Sequence, residues 1–395
     1  MKLINACLLV AAFSATAADP QVSEVTFSQS ADRVATVNYK LGGAPAVITL
    51  SVSTNAGENV WVKVPDSAVA AVIGDVCRLV QPGDDIRTIK WFPDVSWPFQ
   101  ENTDGVKVDV VAWAVDNPPD YMAIDLETGS VRYYASAESV PCGVTNRLYK
   151  SYSLLLRRIH ATGRYFRMGR NAYGLSSKFD ASVAEYTQPV RVVLSKDYYI
   201  GVYETTQRQY YLMNNKQDPS GFKGDFRPVE KIAVDPGAIV EGVLAASSAN
   251  LGVELKLPSE AQWEFACRAG TTTMFYNGTD TESDSIAWTK NNSADYGTHD
   301  VGLKAPNAFG LYDMIGNVAE VCRDWFVNVP FTDDQIDPEI TTKQSYHVRK
   351  GGCYFHIPGQ WCNSAGRDKC YNQGSWWGDS RNTGFRVSCD AVAVK

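Results

Sequence analysis

Apolar and polar residues alternate in short runs along the first part of this chain, and Gly, Pro and Asn separate the runs. Alternation with a period of two, together with many β-branched residues, predicts strands that bury one face. The pattern therefore predicts an all-β sandwich of the immunoglobulin or fibronectin type over residues 19–118. The predicted strands are Val25–Phe27, Val34–Tyr39, Ala46–Val52, Val60–Val64, Arg87–Phe92 and Val106–Trp113.

The alternation stops at Asn117-Pro-Pro-Asp120. Two successive prolines cannot continue a central strand, because proline has no backbone N–H to donate. We therefore predict a domain boundary at this segment and a second domain over residues 119–395. The chain has 395 residues, which is more than most single domains contain. This length agrees with a chain of two domains.

The second domain is predicted to open with strands and to continue with two helices. Each helix begins with the spacing of a capping box, at Thr206 with Gln209 and at Ser259 with Gln262. Beyond the helices the chain is rich in Gly, Asn and Asp, which indicates long ordered loops that bind a ligand or need an ion. An α+β domain with little regular secondary structure is expected. Its first strands are predicted at Met122–Leu126, Val131–Tyr134 and Leu154–Ile159.

The N-terminus has the form of a signal peptide, predicted over residues 1–18. Lys2 supplies a positive start, Leu8–Phe13 is apolar, and Ala15–Ala17 offers small residues for cleavage. We therefore expect a secreted or periplasmic protein without a transmembrane segment, because no later apolar run is long enough to span a bilayer. The net charge of −7 and the lack of a basic stripe argue against nucleic acid as a partner.

Eight cysteines remain once Cys7 in the signal peptide is set aside. An even number in an oxidising compartment favours disulfides. Eight cysteines allow 105 pairings, and the sequence does not select among them. The cysteines are Cys77, Cys142, Cys267, Cys322, Cys353, Cys362, Cys370 and Cys389.

Four segments in order make the second domain resemble the formylglycine-generating enzymes, also called sulfatase-modifying factors. The resemblance covers residues 121–395 and suggests a divergent bacterial member. It implies a compact, irregular α+β fold related to C-type lectins, with bound Ca²⁺. The segments are Tyr199–Thr206, Leu257–Ala266, Asn307–Glu320, and Val348–Cys353 together with Gly384–Arg386.

Within the third segment, Asp313 and Glu320 provide two carboxylates separated by backbone that bends at Gly316. A hard cation such as Ca²⁺ takes oxygen from side chains and carbonyls alike. The resemblance implies that Asp313 and Glu320 bind a structural Ca²⁺ through their side chains, and Gly316 and Val318 through their carbonyls. The alternative is a hydrogen-bonded loop without metal.

Active members of this family hold Cu(I) with two cysteines that follow a Gly-Gly-Ser motif, and they oxidise a substrate cysteine to formylglycine. Soft thiolates suit Cu(I). Here Cys353 stands at the serine position, and the position of the first copper cysteine falls near His356. No cysteine follows at the spacing of the second, and Cys362 lies outside the pair. The family also usually has Trp at the positions of Ala319 and Val321.

Cys353 and Cys362 are nevertheless the candidate catalytic residues, with a structural disulfide as the alternative. Arg367, Asn382, Trp376 and Trp377 are the candidate substrate-binding residues. A planar guanidinium recognises carboxylates or peptide backbone, and paired tryptophans offer a platform for peptide or sugar. For Arg367 an internal salt bridge is the alternative.

Two function classes follow, and whether the protein is an enzyme stays open. The first is an exported oxidoreductase of the formylglycine-generating type, which acts on a protein cysteine with Cu(I). The second is a non-catalytic relative, stabilised by Ca²⁺, that binds peptide or carbohydrate. The missing copper cysteine pair favours the second, whereas the family resemblance favours the first.

Overall fold

A computed structural model describes ten segments of the chain. The predicted signal peptide, Trp376 and Trp377 lie outside them. The described segments are residues 19–55, 60–98, 105–169, 190–232, 235–281, 284–293, 297–328, 331–359, 361–370 and 380–391.

The first part forms two antiparallel sheets, one with the order β1-β2-β7-β5 and one in which β3 pairs with β4, β6 and β8. All six predicted strands are present, and the sequence missed the two short strands β5 and β6. A four-residue helix, α1, follows β7. The bounds are β1 Gln21–Gln29, β2 Ala35–Gly42, β3 Ala46–Asn55, β4 Trp61–Lys63, β5 Val72–Gly74, β6 Arg78–Val80, β7 Gly83–Trp91, α1 Pro93–Ser96 and β8 Val106–Ala114.

The second part is a mixed α+β structure, as predicted. Its largest sheet has the order β10-β9-β11-β14-β20, and two smaller sheets have the orders β12-β13-β16 and β18-β17-β15-β19. The bounds are β9 Tyr121–Asp125, β10 Val131–Tyr134, β11 Ser153–Ile159, β12 Arg164–Met168, β13 Val190–Leu194, β14 Tyr198–Gly201, β15 Ala319–Trp325, β16 Gln335–Ile336, β17 His347–Lys350, β18 Arg367–Lys369, β19 Thr383–Gly384 and β20 Ser388–Asp390.

Three helices pack against these sheets: α2 Gln207–Met213, α3 Pro236–Leu251 and α4 Glu260–Arg268. Both predicted capping boxes are present, at the starts of α2 and α4. The sequence missed α3, because its Ala, Gly and Ser residues do not form a clear apolar stripe. None of the helices in the described segments has the length and apolar character needed to cross a membrane.

Apolar packing is continuous across the predicted boundary at residue 118. Tyr39 and Leu41 of β2 belong to the same buried cluster as Leu155 of β11 and Tyr203. A backbone hydrogen bond of 2.8 Å from Tyr133 N to the carbonyl oxygen of Cys77 also joins the two parts. The sandwich and the second part therefore share one apolar cluster.

The disulfides expected from the even cysteine count are wrong. No disulfide joins any of the eight cysteines, which all lie in the described segments, and all except Cys142 are buried. The reason is their distribution over separate parts of the core. Cys77, Cys267, Cys353 and Cys389 lie in four different apolar clusters. An even count does not bring cysteines together when each one serves as a small apolar residue.

Candidate functional site

Strand β15 separates two candidate sites. It pairs antiparallel with β17 and parallel with β19, so it lies inside its sheet. Successive side chains of a strand point to opposite faces, which sends Ala319 and Glu320 in different directions. We call the group on the Glu320 side the acidic cluster: Glu204, Asp313, Glu320 and Arg386. We call the small depression on the Ala319 side the cleft. It is lined by Ala319, Arg349, Gly352, His356, Trp361, Gly366, Arg367 and Asp368.

In the acidic cluster, Glu320 is fully engaged by protein donors. Arg386 donates from Nη2 to Oε1 at 2.6 Å and from Nε to Oε2 at 2.7 Å. The indole Nε1 of Trp263 donates to Oε2 at 2.6 Å. All three side chains are buried. A bidentate pair between guanidinium and carboxylate is among the strongest charge-assisted contacts in proteins.

Two further carboxylates complete the acidic cluster. Glu204 accepts hydrogen bonds from the side-chain amide of Asn317 at 2.6 Å and from Val318 N at 3.1 Å. Asp313 accepts one from Gly302 N at 2.6 Å, while its Oδ1 is buried and has no partner in the described part of the chain. Burial raises the pKa of Asp313 to about 6, and burial together with Asp313 and Glu320 raises that of Glu204. Sequence analysis did not single out Glu204, although this residue lies within the family segment Tyr199–Thr206.

The acidic cluster fits a cation in one respect only. Three buried carboxylates face the single guanidinium of Arg386, and Oδ1 of Asp313 is free to bind an ion. Both oxygens of Glu320, in contrast, are already held by Arg386 and Trp263. Among the described residues, no three His, Cys, Asp or Glu side chains are placed to hold a metal. The calcium set stays a prediction, in which Asp313 and backbone carbonyls would have to do most of the binding.

Gly316 has a structural role whether or not an ion binds. Its φ is +82°, and a Cβ at this position would lie 2.2 Å from the carbonyl oxygen of Trp288. Only glycine combines the left-handed backbone with such a close approach. The turn therefore requires a glycine at position 316 by itself, so the presence of Gly316 is not evidence for an ion site.

The cleft contains an imidazole, that of His356, near the position where the family would place its first copper cysteine. His356 and Trp361 line it together with Ala319, whose small side chain replaces the tryptophan expected from the family. Burial, together with the nearby Arg349 guanidinium, lowers the pKa of His356 to about 3. The imidazole is therefore neutral at physiological pH. Phe222, Tyr354 and Phe355 extend the aromatic surface around the cleft, with ring centroids 5.4–5.6 Å apart.

The structure brings the two candidate catalytic cysteines close together but keeps them buried. The thiol of Cys362 donates to the carbonyl oxygen of Cys353 at 3.4 Å. Burial raises the pKa of Cys353 to about 12. A thiol of such high pKa is protonated, whereas metal binding and nucleophilic attack require the thiolate. The arrangement therefore favours a packing role for this pair.

Arg367 and Asn382 are committed to internal contacts. Arg367 forms a bidentate pair with Glu260, at 2.7 and 3.0 Å. Asn382 Oδ1 accepts a hydrogen bond from Arg349 Nη1 at 2.9 Å. Arg349 also pairs with Asp368 at 2.6 Å, so the charges that border the cleft are largely neutralised within the protein. Trp376 and Trp377 lie outside the described residues.

Comparison with known proteins gives a consistent result for the second part of the chain. The family described as "Sulfatase-modifying factor enzyme 1-like domain" matches residues 161–391. The chaperone protein LppX of Paenibacillus barcinonensis is 28% identical over 222 residues, which cover 44% of this chain and 74% of LppX. The formylglycine-generating enzyme of Mus musculus is 30% identical over 154 residues, covering 34% of this chain and 39% of that enzyme. The match thus spans well under half of the mouse enzyme.

A solved structure agrees with these sequence relatives. The Treponema denticola variable protein 1 superposes with a TM-score of 0.50 at 25% sequence identity. The superposition covers 61% of this chain and 96% of the other. The predicted fold class is confirmed by this likeness and by the mixed strands and helices described above.

Proposed function

Because this chain belongs to the family of sulfatase-modifying factor enzyme 1-like domains, we propose that it is a non-catalytic member that binds a segment of another protein at the cleft. The observation that carries the proposal is the chemistry of the cleft. A neutral His356 stands near the position of the family's first copper cysteine, no described cysteine lines the cleft, and the nearby Cys353 is a buried thiol of high pKa. Copper oxidation has no ligand pair there.

Two relatives support a protein ligand. One is named a chaperone, and the other acts to generate formylglycine, which the family forms from a protein cysteine. The half-buried aromatic side chains around the cleft supply apolar surface of the kind that protein contacts use. A carbohydrate ligand is the alternative, and the binding experiment below separates the two.

We predict that the protein forms no formylglycine. Purified protein, loaded with Cu(I) under oxygen, is incubated with a peptide that contains Cys-x-Pro-x-Arg. Mass spectrometry is expected to show the unmodified cysteine, while the mouse relative, as the positive control, converts the same peptide. Detection of the aldehyde product with this protein would overturn the non-catalytic assignment.

We predict that binding depends on the small residue Ala319. Peptides are selected from a displayed random library on the wild-type protein and then titrated against Ala319→Trp, which restores the ring expected from the family and fills the cleft. Affinity is expected to fall at least tenfold, about 1.4 kcal/mol. The matched control Val111→Trp adds a tryptophan to the exposed face of β8 and is expected to bind normally. Equal binding by Ala319→Trp, or a library that yields no binding peptide, would contradict a protein ligand at the cleft.

We also propose that Asp313 binds a structural calcium ion together with the carbonyls of Gly316 and Val318. The ion would neutralise part of the excess negative charge of the acidic cluster. Exhaustive EDTA dialysis is then expected to lower the melting temperature, and added Ca²⁺ to restore it. Asp313→Asn is expected to remove this response. Asn tolerates the left-handed backbone of this position, where φ is +54°.

Asp313→Asn also tests the alternative, a hydrogen-bonded loop without a bound metal. Without an ion, the amide of Asp313→Asn relieves the repulsion from Glu204 and Glu320, so the variant would melt higher than the wild type at pH 8. A melting curve unchanged by EDTA, together with a more stable variant, would rule out the calcium site.

Export to the periplasm or the medium remains a proposal that rests on residues 1–18. N-terminal sequencing of the mature protein is expected to begin near residue 19. Retention of Met1 would contradict export.

A further inference from the structure

We propose that Glu230 positions Phe222 at the rim of the cleft while the carboxyl group of Glu230 is protonated, and that it releases Phe222 when the proton is lost. The inference rests on the proposed function, because Phe222 belongs to the aromatic surface around the cleft. Its ring packs on that of Tyr354, with the centroids 5.6 Å apart. We call residues 220–224, which carry Phe222, the rim loop. Glu230 is a positioning residue, since it would act on a ligand only through Phe222.

The rim loop is held by two side chains instead of by strand pairing. Oε1 of Glu230 accepts hydrogen bonds from Gly221 N at 2.6 Å and from Phe222 N at 2.7 Å. Gln207 of α2 donates from Nε2 to the carbonyl oxygen of Phe222 at 2.7 Å. Among the described residues, Gly221, Phe222 and Lys223 make no hydrogen bond from backbone to backbone. A loop with few anchors opens locally at a low cost in free energy, so the contacts of Glu230 strongly influence where Phe222 lies.

The carboxyl group of Glu230 lies in surroundings that disfavour its charged form. The side chain is fully buried, and its Oε2 has no hydrogen-bond partner among the residues that the structure describes. Burial raises the pKa of Glu230 to about 7, against the opposing effect of the two backbone N–H groups. Of the nearby charged groups, Asp218 raises this pKa and Arg381 lowers it. Asp218 is itself paired with Lys223, at 2.7 Å.

Proton binding and closure of the rim loop are therefore linked. Opening of the loop would expose the carboxyl group to water and return its pKa towards the ordinary value of 4.5. Because the closed loop holds the proton more tightly, closure is fully favoured below pH 4.5 and is lost as the pH rises through 7. Between pH 6 and pH 8 the ratio of closed to open loop is expected to fall about tenfold. An open loop would remove the ring of Phe222 from the cleft.

Hydrogen exchange of the full chain without ligand tests the rim loop directly. Exchange of the amides of Gly221 and Phe222 is followed by NMR at pH 6 and pH 8, and each rate is divided by that of an unstructured peptide at the same pH. The resulting protection is expected to be about tenfold lower at pH 8 than at pH 6 in the wild type. Constant protection would overturn the proposal without the use of any variant.

Glu230→Gln is expected to remove this pH dependence, because the amide oxygen can accept the same two hydrogen bonds but the amide does not titrate. Glu127→Gln is the matched control. It removes an exposed carboxylate from the turn after β9 and should keep the wild-type pH dependence. A pH dependence that persists in Glu230→Gln would assign the titration to another group and would end the role of Glu230.

Ligand binding tests whether the rim loop serves the cleft. A peptide selected on the wild type, with blocked termini and without histidine or cysteine, is titrated at pH 6 and pH 8. Its affinity for the wild type is expected to fall by up to about tenfold at pH 8, whereas Glu230→Gln should bind it equally at both pH values. Equal affinity of the wild type at both would contradict the positioning role. Because hydrogen exchange needs no ligand, a failure of the rim loop is distinguishable from a failure of the cleft to bind peptide.

Discussion

Replacing Arg386 with methionine is expected to lower the free energy of unfolding by about 3–5 kcal/mol, because it leaves a buried carboxylate without its partner. Glu320 would lose both charge-assisted hydrogen bonds while Glu204 and Asp313 remain close by. The carbonyl oxygen of Gly201 would also lose a donor at 2.9 Å. Urea unfolding at pH 8, followed by tryptophan fluorescence, measures the loss.

Two variants show whether the uncompensated charge is the cause. Adding Glu320→Gln to Arg386→Met removes that charge and is expected to recover part of the stability. Arg191→Met breaks an exposed pair with Asp334 and should leave the stability almost unchanged, because solvent screens such a pair. If Arg386→Met matched this surface control, the buried pair would not be a major source of stability.

The protein is also expected to lose stability as the pH rises from 5 to 8, with Asp324 as a main contributor. Burial, with Glu260 as the next cause, raises the pKa of Asp324 from 3.8 to about 7. The folded state therefore holds this proton more tightly than the unfolded state. The contribution is fully present below pH 3.8 and is lost as the pH passes 7. Between pH 5 and 8 the loss amounts to about 2–3 kcal/mol.

Asp324→Asn isolates this contribution. The variant cannot titrate, so its stability relative to the wild type is expected to rise by that amount between pH 5 and 8. The exposed carboxylate of Asp109 provides the control, and Asp109→Asn should run parallel to the wild type. Burial also raises the pKa values of Asp313 and Glu230, to about 6 and 7. These two residues lower the stability with rising pH in the wild type and in Asp324→Asn alike, so their effect cancels in the comparison. A constant difference between Asp324→Asn and wild type would contradict the assignment.

Sequence patterns predicted the structure correctly where it depends on residues that are close together along the chain. Both capping boxes form as predicted, because a side chain and a backbone N–H three residues apart are already neighbours. The alternation along β2 corresponds to buried Val37, Tyr39 and Leu41. Helix α3 was missed because its buried face mixes Val and Leu with Gly and Ser, although Asp235 caps its start and Gly252 follows its end.

The candidate site was harder to predict, because its residues meet through contacts distant in sequence. Glu204 lies more than a hundred positions before Glu320, and no local pattern indicates that they share a pocket. For Arg367 the sequence left substrate binding and an internal salt bridge open, and the structure shows its pairing with Glu260. The burial of Cys353 is likewise a property of the packed core.

The thiols of this fold have a practical consequence. Among the eight described cysteines, Cys142 alone is at the surface. A maleimide dye or spin label would therefore couple to native protein at one defined position, and the remaining sulfurs would react only after unfolding. Because these cysteines form no disulfide, folding is expected to need no oxidant, and the protein can be prepared in a reducing cytoplasm.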